Sequence, residues 1–313
     1  MAASVIDFSE AVKVYGEKRI GPVRFSVDVG EIFGFLGPNG SGKTTCIRML
    51  LGLARPSAGR VWLNGLDPLR NHVEALSGVG YSPELPNIQT FLTPREVLRL
   101  AAASSGLKGP VDVEIDRVLE EVGVIQYKDV KVGRLSKGMV QRLSVAQAML
   151  GSPGIMVMDE PMIGLDPAGT AHLREAFRSY ARDGGTILMS SHMMSEVEDL
   201  CSSVGMIHGG KLLFRGTVKE MVGQILASDE VHVEARGLTN ETLESVRHID
   251  GVLGLELTEG GFEAKVRIGA EVRPTIAKTI TESEAQLLTI SGGRRMLEKA
   301  YIEALKSDKN QTQ

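Results

Sequence analysis

Glu31-Ile-Phe-Gly-Phe-Leu-Gly-Pro-Asn-Gly-Ser-Gly-Lys-Thr-Thr45 carries two signals back to back. Glu31 to Leu36 is a short apolar run that stops at a glycine, as a buried strand does. Gly37 to Thr45 then satisfies G-x-x-x-x-G-K-[ST], and a helical pattern follows from Lys43 to about Leu53. Strand, glycine loop and helix in that order form a cradle for phosphate. Gly37, Gly40 and Gly42, with Pro38, Asn39 and Ser41 between them, let the loop wrap closely and turn backbone N–H groups inward. The helix aims its positive dipole end at the same charge. Lys43 is placed to reach the β- and γ-phosphates, Thr44 to ligate Mg²⁺, and Thr45 completes the loop. A glycine-rich turn with an incidental lysine is the alternative, and the flanking strand and helix weigh against it.

Further along, Ile155-Met-Val-Met-Asp159-Glu160 is an apolar run ending in two acids. A strand in the middle of a sheet can deliver Asp159 to the edge where the phosphate loop sits. Asp159 would hold Mg²⁺ through water, and Glu160 would orient and polarise an attacking water. An acidic turn after a strand is the plain alternative, weakened by the cradle upstream. A third apolar run, Thr186–Ser190, leads into Ser191 and His192. Alone, His192 reads equally as a structural histidine and as a group beside the γ-phosphate; a topology that gathers strand ends favours the second.

The runs Ser4–Phe8, Phe25–Val29, Val61–Gly65 and Val204–His208 read as further strands. Parallel strands alternating with helices imply a doubly wound α/β core, with helices over 92–150 as an insertion. Thr93-Pro94-Arg95-Glu96 predicts a helix start with Thr93 as N-cap and Glu96 closing a capping box. Val111, Ile115, Val118, Leu119 and Val122 share one face of a second helix, and a third is expected from Ser136 to Leu150. The pattern changes after residue 222. With a linker at 223–230, residues 231–313 read as β-α-β-β-α-β and a last helix over Arg294–Leu305, a small α+β domain of ferredoxin-like order.

Of 313 residues 42% are hydrophobic and 24% charged, enough for a sizeable core, and the length suggests roughly two domains. A net charge of -4 and scattered basic residues give no general attraction to nucleic acid. Cys46 and Cys201 lack metal-ligand spacing and read as reduced thiols. The first residues lack the marks of a signal peptide. No uncharged apolar run nears the ~20 residues that span a bilayer. Any membrane role is therefore expected to run through a partner.

Together with Leu135-Ser136-Lys137-Gly138-Met139 and Gly164-Leu165-Asp166-Pro167, these motifs resemble the ATP-binding subunits of ABC transporters over roughly residues 4–222. The resemblance implies ATP and Mg²⁺, hydrolysis, and a head-to-tail dimer of like or unlike ATPase subunits. Each ATP would lie between one cradle and the facing Ser136–Gly138 helix tip. It also implies an integral-membrane permease as partner, on the cytoplasmic face of the membrane. By the same resemblance Tyr15 stacks on adenine, Asp166 communicates across the dimer and His192 meets the γ-phosphate; a packing role is the alternative for Tyr15, and an ordinary helix cap for Ser136. Lys137, Met139, Met162 and Ile163 depart from the commonest pattern. Glu84 stands where many relatives carry a glutamine at the metal, so it is a weak metal candidate. These departures and the appended domain, closing on Met296–Leu305, resemble the ABC-2-type exporter branch. Leu85, Ile88, Phe91 and Leu92 either line a groove for the permease or pack into the core. A nucleic-acid-directed ATPase fits the acidic charge poorly, and a GTPase lacks its Asn-Lys-x-Asp motif. Lys43, Asp159, Glu160 and His192 argue against a non-hydrolysing regulator.

Overall fold

A computed structural model describes residues 4–225, 228–292 and 296–311, which divide between Thr217 and Val218 into two compact units. The first unit opens with β1 (Ser4–Tyr15), β2 (Lys18–Asp28), β3 (Ile32–Leu36), α1 (Lys43–Leu50), β4 (Ala58–Leu63), α2 (His72–Leu76) and β5 (Val79–Ser82). The helices α3 (Pro94–Ser105), α4 (Val111–Glu121) and α5 (Lys137–Met149) follow. The unit closes with β6 (Ile155–Asp159), α6 (Pro167–Arg182), β7 (Thr186–Ser191), α7 (Met194–Leu200), β8 (Ser203–His208) and β9 (Lys211–Thr217).

Two sheets build this unit. One runs β5-β6-β7-β3-β8-β9, parallel except for β9, which returns antiparallel along β8. β3, β6 and β7 are buried at every residue, which explains their unbroken apolar runs: helices or the other sheet cover both faces. The other sheet, β2-β1-β4, is antiparallel. The sequence marked its strands without showing that they form a separate layer. Phe25 of β2 joins the layers, stacked on Phe8 of β1 at 4.6 Å and on Phe33 of β3 at 4.9 Å between ring centroids.

α3, α4 and α5 are inserted between the neighbouring strands β5 and β6. α3 begins as its sequence predicts: Thr93 Oγ1 accepts the Glu96 N–H, and Glu96 Oε2 accepts the Thr93 N–H at 2.8 Å. On α4, Ile115, Val118 and Leu119 face inward, with Val122 just after it. Cys46 and Cys201 are unpaired and buried, and burial pushes the Cys46 thiol up to about 12.

The second unit contains α8 (Val218–Ile225), β10 (Asp229–Arg236), α9 (Asn240–Arg247), β11 (Val252–Thr258), β12 (Gly261–Val266), α10 (Arg273–Thr281), β13 (Gln286–Gly292) and α11 (Met296–Gln311). Its sheet order, β11-β12-β10-β13, is antiparallel throughout, the ferredoxin-like arrangement of a β-α-β-β-α-β chain. Val231, Val233, Phe262, Ala264, Ile276 and Ile280 form its core. The boundary differs from the expected one. Of the residues expected as the end of the first domain and a linker, 218–225 instead form α8 and 229–230 begin β10, because Met221 and Val222 give α8 a buried face and it packs with α11; 226 and 227 lie outside the described residues. The expected start of the last helix at Arg294 lies outside the described residues, and α11 is described from Met296.

Replacing Phe25 with Ala removes the ring that joins both sheets and should destabilise the first unit by about 3–5 kcal/mol. Urea unfolding of the full chain checks this; a shift under about 1 kcal/mol would mean that the stack is not a structural joint.

Candidate active site

Sheet order assembles the site. In the β6-β7-β3 run, Asp159 pairs with Ser190 and Leu36 with Ser191, so the loop after β3, the acids ending β6 and the Ser-Ser-His turn after β7 emerge at one edge. The Gly37 N–H donates to Ser191 O at 3.2 Å and ties the first of these to the third.

The glycine loop is shaped by conformations closed to other residues. Gly42 caps α1 at φ 118° and offers no side chain, so the first N–H groups of the helix point into the loop. A side chain at Gly37 would put its Cβ 2.2 Å from Ile207 O. Ser41 Oγ is buried without a hydrogen-bond partner among the described residues. Pro38, Asn39, Gly40, Gly42, Lys43, Thr44 and Thr45 line a cavity of about 330 Å³ with Lys18, Glu84 and Glu160. Orphan N–H groups and two lysines in one cavity, with the unpaired Ser41 hydroxyl in the same loop, suit a polyphosphate.

Lys43 Nζ donates to Gly37 O at 2.5 Å and lies 3.0 Å from Glu160 Oε1, an ion pair in which the side chains are 5% and 6% exposed. The contact to Oε1 is electrostatic rather than a shaped hydrogen bond. The other carboxylate oxygen, Oε2, lies 2.8 Å from His192 Nδ1 and accepts the His192 backbone N–H at 3.3 Å. An ionised carboxylate only accepts, so Nδ1 carries the proton that faces it. Glu160 adopts φ 50°, a left-handed conformation uncommon for a residue with a Cβ. Beside it, Ser190 Oγ donates to Asp159 Oδ1 at 2.6 Å and accepts the Glu160 N–H at 2.9 Å. Ser191 Oγ donates to Glu196 Oε2 at 2.7 Å and accepts the Met193 N–H, fixing the turn that carries His192. Burial above all holds the Glu196 carboxyl above its usual range.

Other expected residues lie elsewhere. Tyr15, 48% exposed, ends β1 with Lys13 Nζ 4.8 Å from its ring centre; it does not line the cavity, although Lys18, its partner in the β1–β2 hairpin, does. Ser136 caps α5 by accepting the Met139 N–H, and Asp166 caps α6 by accepting the Gly169 N–H. The two caps belong to one surface, because a Cβ on Gly138 would meet Gly164 O at 3.2 Å. Ser136, Lys137, Gly138 and Asp166 do not line the cradle of their own chain. Glu84 does line it. A larger cavity of about 870 Å³ lies between β5 and the inserted helices and is lined by Ile88 and Leu92 among others. Leu85 and Phe91 are not core residues: they are 82% and 66% exposed, and they do not line this cavity. Lys18 and Ser190 went unmarked in the sequence. A hydroxyl at the end of an apolar strand was the one available sign of Ser190.

The ABC transporter family model matches residues 20–163. The chain is 41% identical over 213 residues to the bacitracin transport ATP-binding protein BcrA of Bacillus licheniformis, covering 67% of this chain and 69% of that one. To the Nod factor export ATP-binding protein I of Burkholderia orbicola it is 37% identical over 236 residues, covering 74% and 77%. A solved ATP-binding subunit of an ABC transporter superposes with a TM-score of 0.65 at 30% identity, covering 71% of this chain and 93% of that one. A nucleotide-free cassette, at 23% identity and a TM-score of 0.60, shares the fold. Among the described residues no helix is long and apolar enough to cross a membrane. With the cradle and the carboxylates at one sheet edge and relatives of this similarity, the chain belongs to the ABC transporter family, as an ATP-binding subunit that hydrolyses ATP to drive a separate membrane-spanning partner.

Proposed function

We propose that this chain powers an exporter from the cytoplasmic face of the membrane, as one half of a head-to-tail ATPase dimer with a like or related subunit. The convergence of Lys43, Glu160 and His192 on the glycine loop carries this reading. Lys43, the Ser41 hydroxyl and the N–H groups of Gly40 and of Gly42 to Thr45 bind the phosphates, with Gly37, Pro38 and Asn39 shaping the loop around them. Glu160 orients water for in-line attack on the γ-phosphorus, and products are ADP and phosphate. His192 and Lys43 hold the two carboxylate oxygens, which leaves Glu160 little freedom to leave that position. Tyr15 pairs with Lys18, which lines the cavity, and this nearness supports stacking of the base on Tyr15.

Thr44 and Asp159 are the residues to hold Mg²⁺. They are hard oxygen donors at the cradle and at the adjoining strand end, and Mg²⁺ takes few protein ligands beside nucleotide phosphates and water. Bound there, the cation would neutralise charge developing on the phosphate oxygens. Glu84 lines the same cavity and is assigned only to the cation's wider surroundings.

The dimer follows from what the cradle of one chain lacks. Ser136–Gly138 presents a second helix N-terminus away from its own cradle, beside the Gly164–Asp166 loop. In a head-to-tail pair that tip closes over the partner's ATP, and Asp166 lies at the seam. Export is the direction named for the Nod factor relative, and the bacitracin relative is named for transport. The 870 Å³ cavity by Ile88 and Leu92 takes a helical segment of the permease.

Glu160→Gln should lower turnover at least about a hundredfold while ATP binding persists, because the amide cannot polarise water. Size-exclusion chromatography with ATP and Mg²⁺ should then show a stable dimer; normal turnover or a persistent monomer contradicts the mechanism. Ile88→Glu should leave folding and ATP binding intact and abolish transport in the reconstituted complex. Loss of the folded state in that variant would make the cavity part of the core.

A further inference from the structure

We propose that Ser190 is a positioning residue for hydrolysis: its one hydroxyl sets the Asp159 carboxylate and the Glu160 backbone in a single geometry. The inference rests on the roles proposed above for Asp159 and Glu160.

Ser190 is fully buried in β7, next to Ile187, Leu188 and Met189, in a strand covered on both faces. A hydroxyl there is unfavourable unless its donor and its acceptor are both used. Both are. The donor goes to Asp159 Oδ1 at 2.6 Å, short as expected for a bond to a charged acceptor. The acceptor takes the Glu160 N–H at 2.9 Å. That N–H needs a partner outside the ladder, because β6 and β7 pair only as far as Asp159 and Ser190 and the chain then turns left-handed at Glu160. An alanine at this position would leave a buried carboxylate oxygen and a buried N–H each short of a partner.

The consequence reaches the carboxylate of Glu160. Its side chain leaves a backbone whose direction is set at φ 50°, and from there it meets Lys43 and His192. If the N–H is released, the turn can relax toward commoner backbone angles and swing the carboxylate away from both. Ser190 does not itself line the cradle and reaches it only through Glu160, which faces the water rather than holding the phosphates, so its removal should spare the binding of nucleotide without metal.

The test uses the purified full-length chain with Ser190→Ala and, as a reference, Glu160→Gln. ATPase rates, ATP binding in EDTA and in Mg²⁺, and thermal unfolding are measured for each. For Ser190→Ala we expect kcat to fall roughly ten- to a hundredfold while KM moves less than about threefold. Binding in EDTA should match the wild type, and the strengthening of binding by Mg²⁺ should shrink. If this variant does not fold, Ser190→Cys keeps the shape with a weak donor and carries the same expectations. A kcat within about twofold of wild type overturns the role of Ser190. So does a loss matched by equally weakened binding in EDTA. Full turnover by Glu160→Gln would sink the underlying mechanism instead, whereas an inactive Glu160→Gln beside a fully active Ser190→Ala sinks only this inference.

Discussion

Lys43 and Glu160 place opposite charges 3.0 Å apart where solvent scarcely reaches, and much of the first unit is arranged so that they can stay there. A buried ion pair loses more solvation than its mutual attraction returns unless further hydrogen bonds occupy the remaining donors and acceptors. Here Gly37 O takes a lysine proton, and His192 serves the far oxygen of Glu160 through both its ring and its backbone N–H. The groups come from three separate segments, the loop and helix start that follow β3 and the ends of β6 and β7. The pair is thus only as good as the register of those strands. A slip of one residue would turn Asp159 or Ser190 to the opposite face and break the contacts of Glu160 that cross from strand to strand.

That register is protected by burial rather than by the site itself. β3, β6 and β7 have no exposed face, so no alternative alignment leaves polar groups in water. The β2-β1-β4 sheet covers part of this core, and the stack of Phe8, Phe25 and Phe33 fastens it. The helical insertion leaves from β5 and returns at β6, two strands that are neighbours, so three helices are added without separating the strands that carry the chemistry.

What was legible in the sequence was mostly local. The Thr93 capping box involves residues three apart, and the structure reproduces it atom for atom. Gly37–Thr45 needed only its flanking strand and helix, and the β-α-β-β-α-β order named the ferredoxin-like unit. Burial was harder to read. Leu85 and Phe91 could be core residues by type, yet both are exposed, because a loop's apolar residues obey no periodicity that assigns them a face. The boundary near Thr217 was hidden for a related reason: α8 follows β9 without a break, and its membership in the second unit depends on packing with α11, far along the chain. Ser190 was invisible as a partner of two acids because only strand pairing brings them together.

One short stretch connects the two cavities. Tyr81 of β5 lines the larger, Glu84 just beyond the strand lines the cradle, and Ile88 and Leu92 line the larger cavity again. The backbone between them is punctuated by Pro83 and Pro86, which restrict its freedom and make it a poor absorber of strain. Tyr81 is anchored by the parallel pairing of β5 with β6, the strand that ends in Asp159. A change in charge within the cradle therefore acts on a segment held at one end by the catalytic sheet and occupied at the other by the proposed permease groove. Such a segment conveys a displacement only if its two ends favour different positions with and without nucleotide. Glu84 supplies a reason that they should. Polyphosphate alone would repel this carboxylate across a small cavity and Mg²⁺ would attract it, so the position Glu84 favours would differ between the empty cradle, nucleotide and nucleotide with the cation.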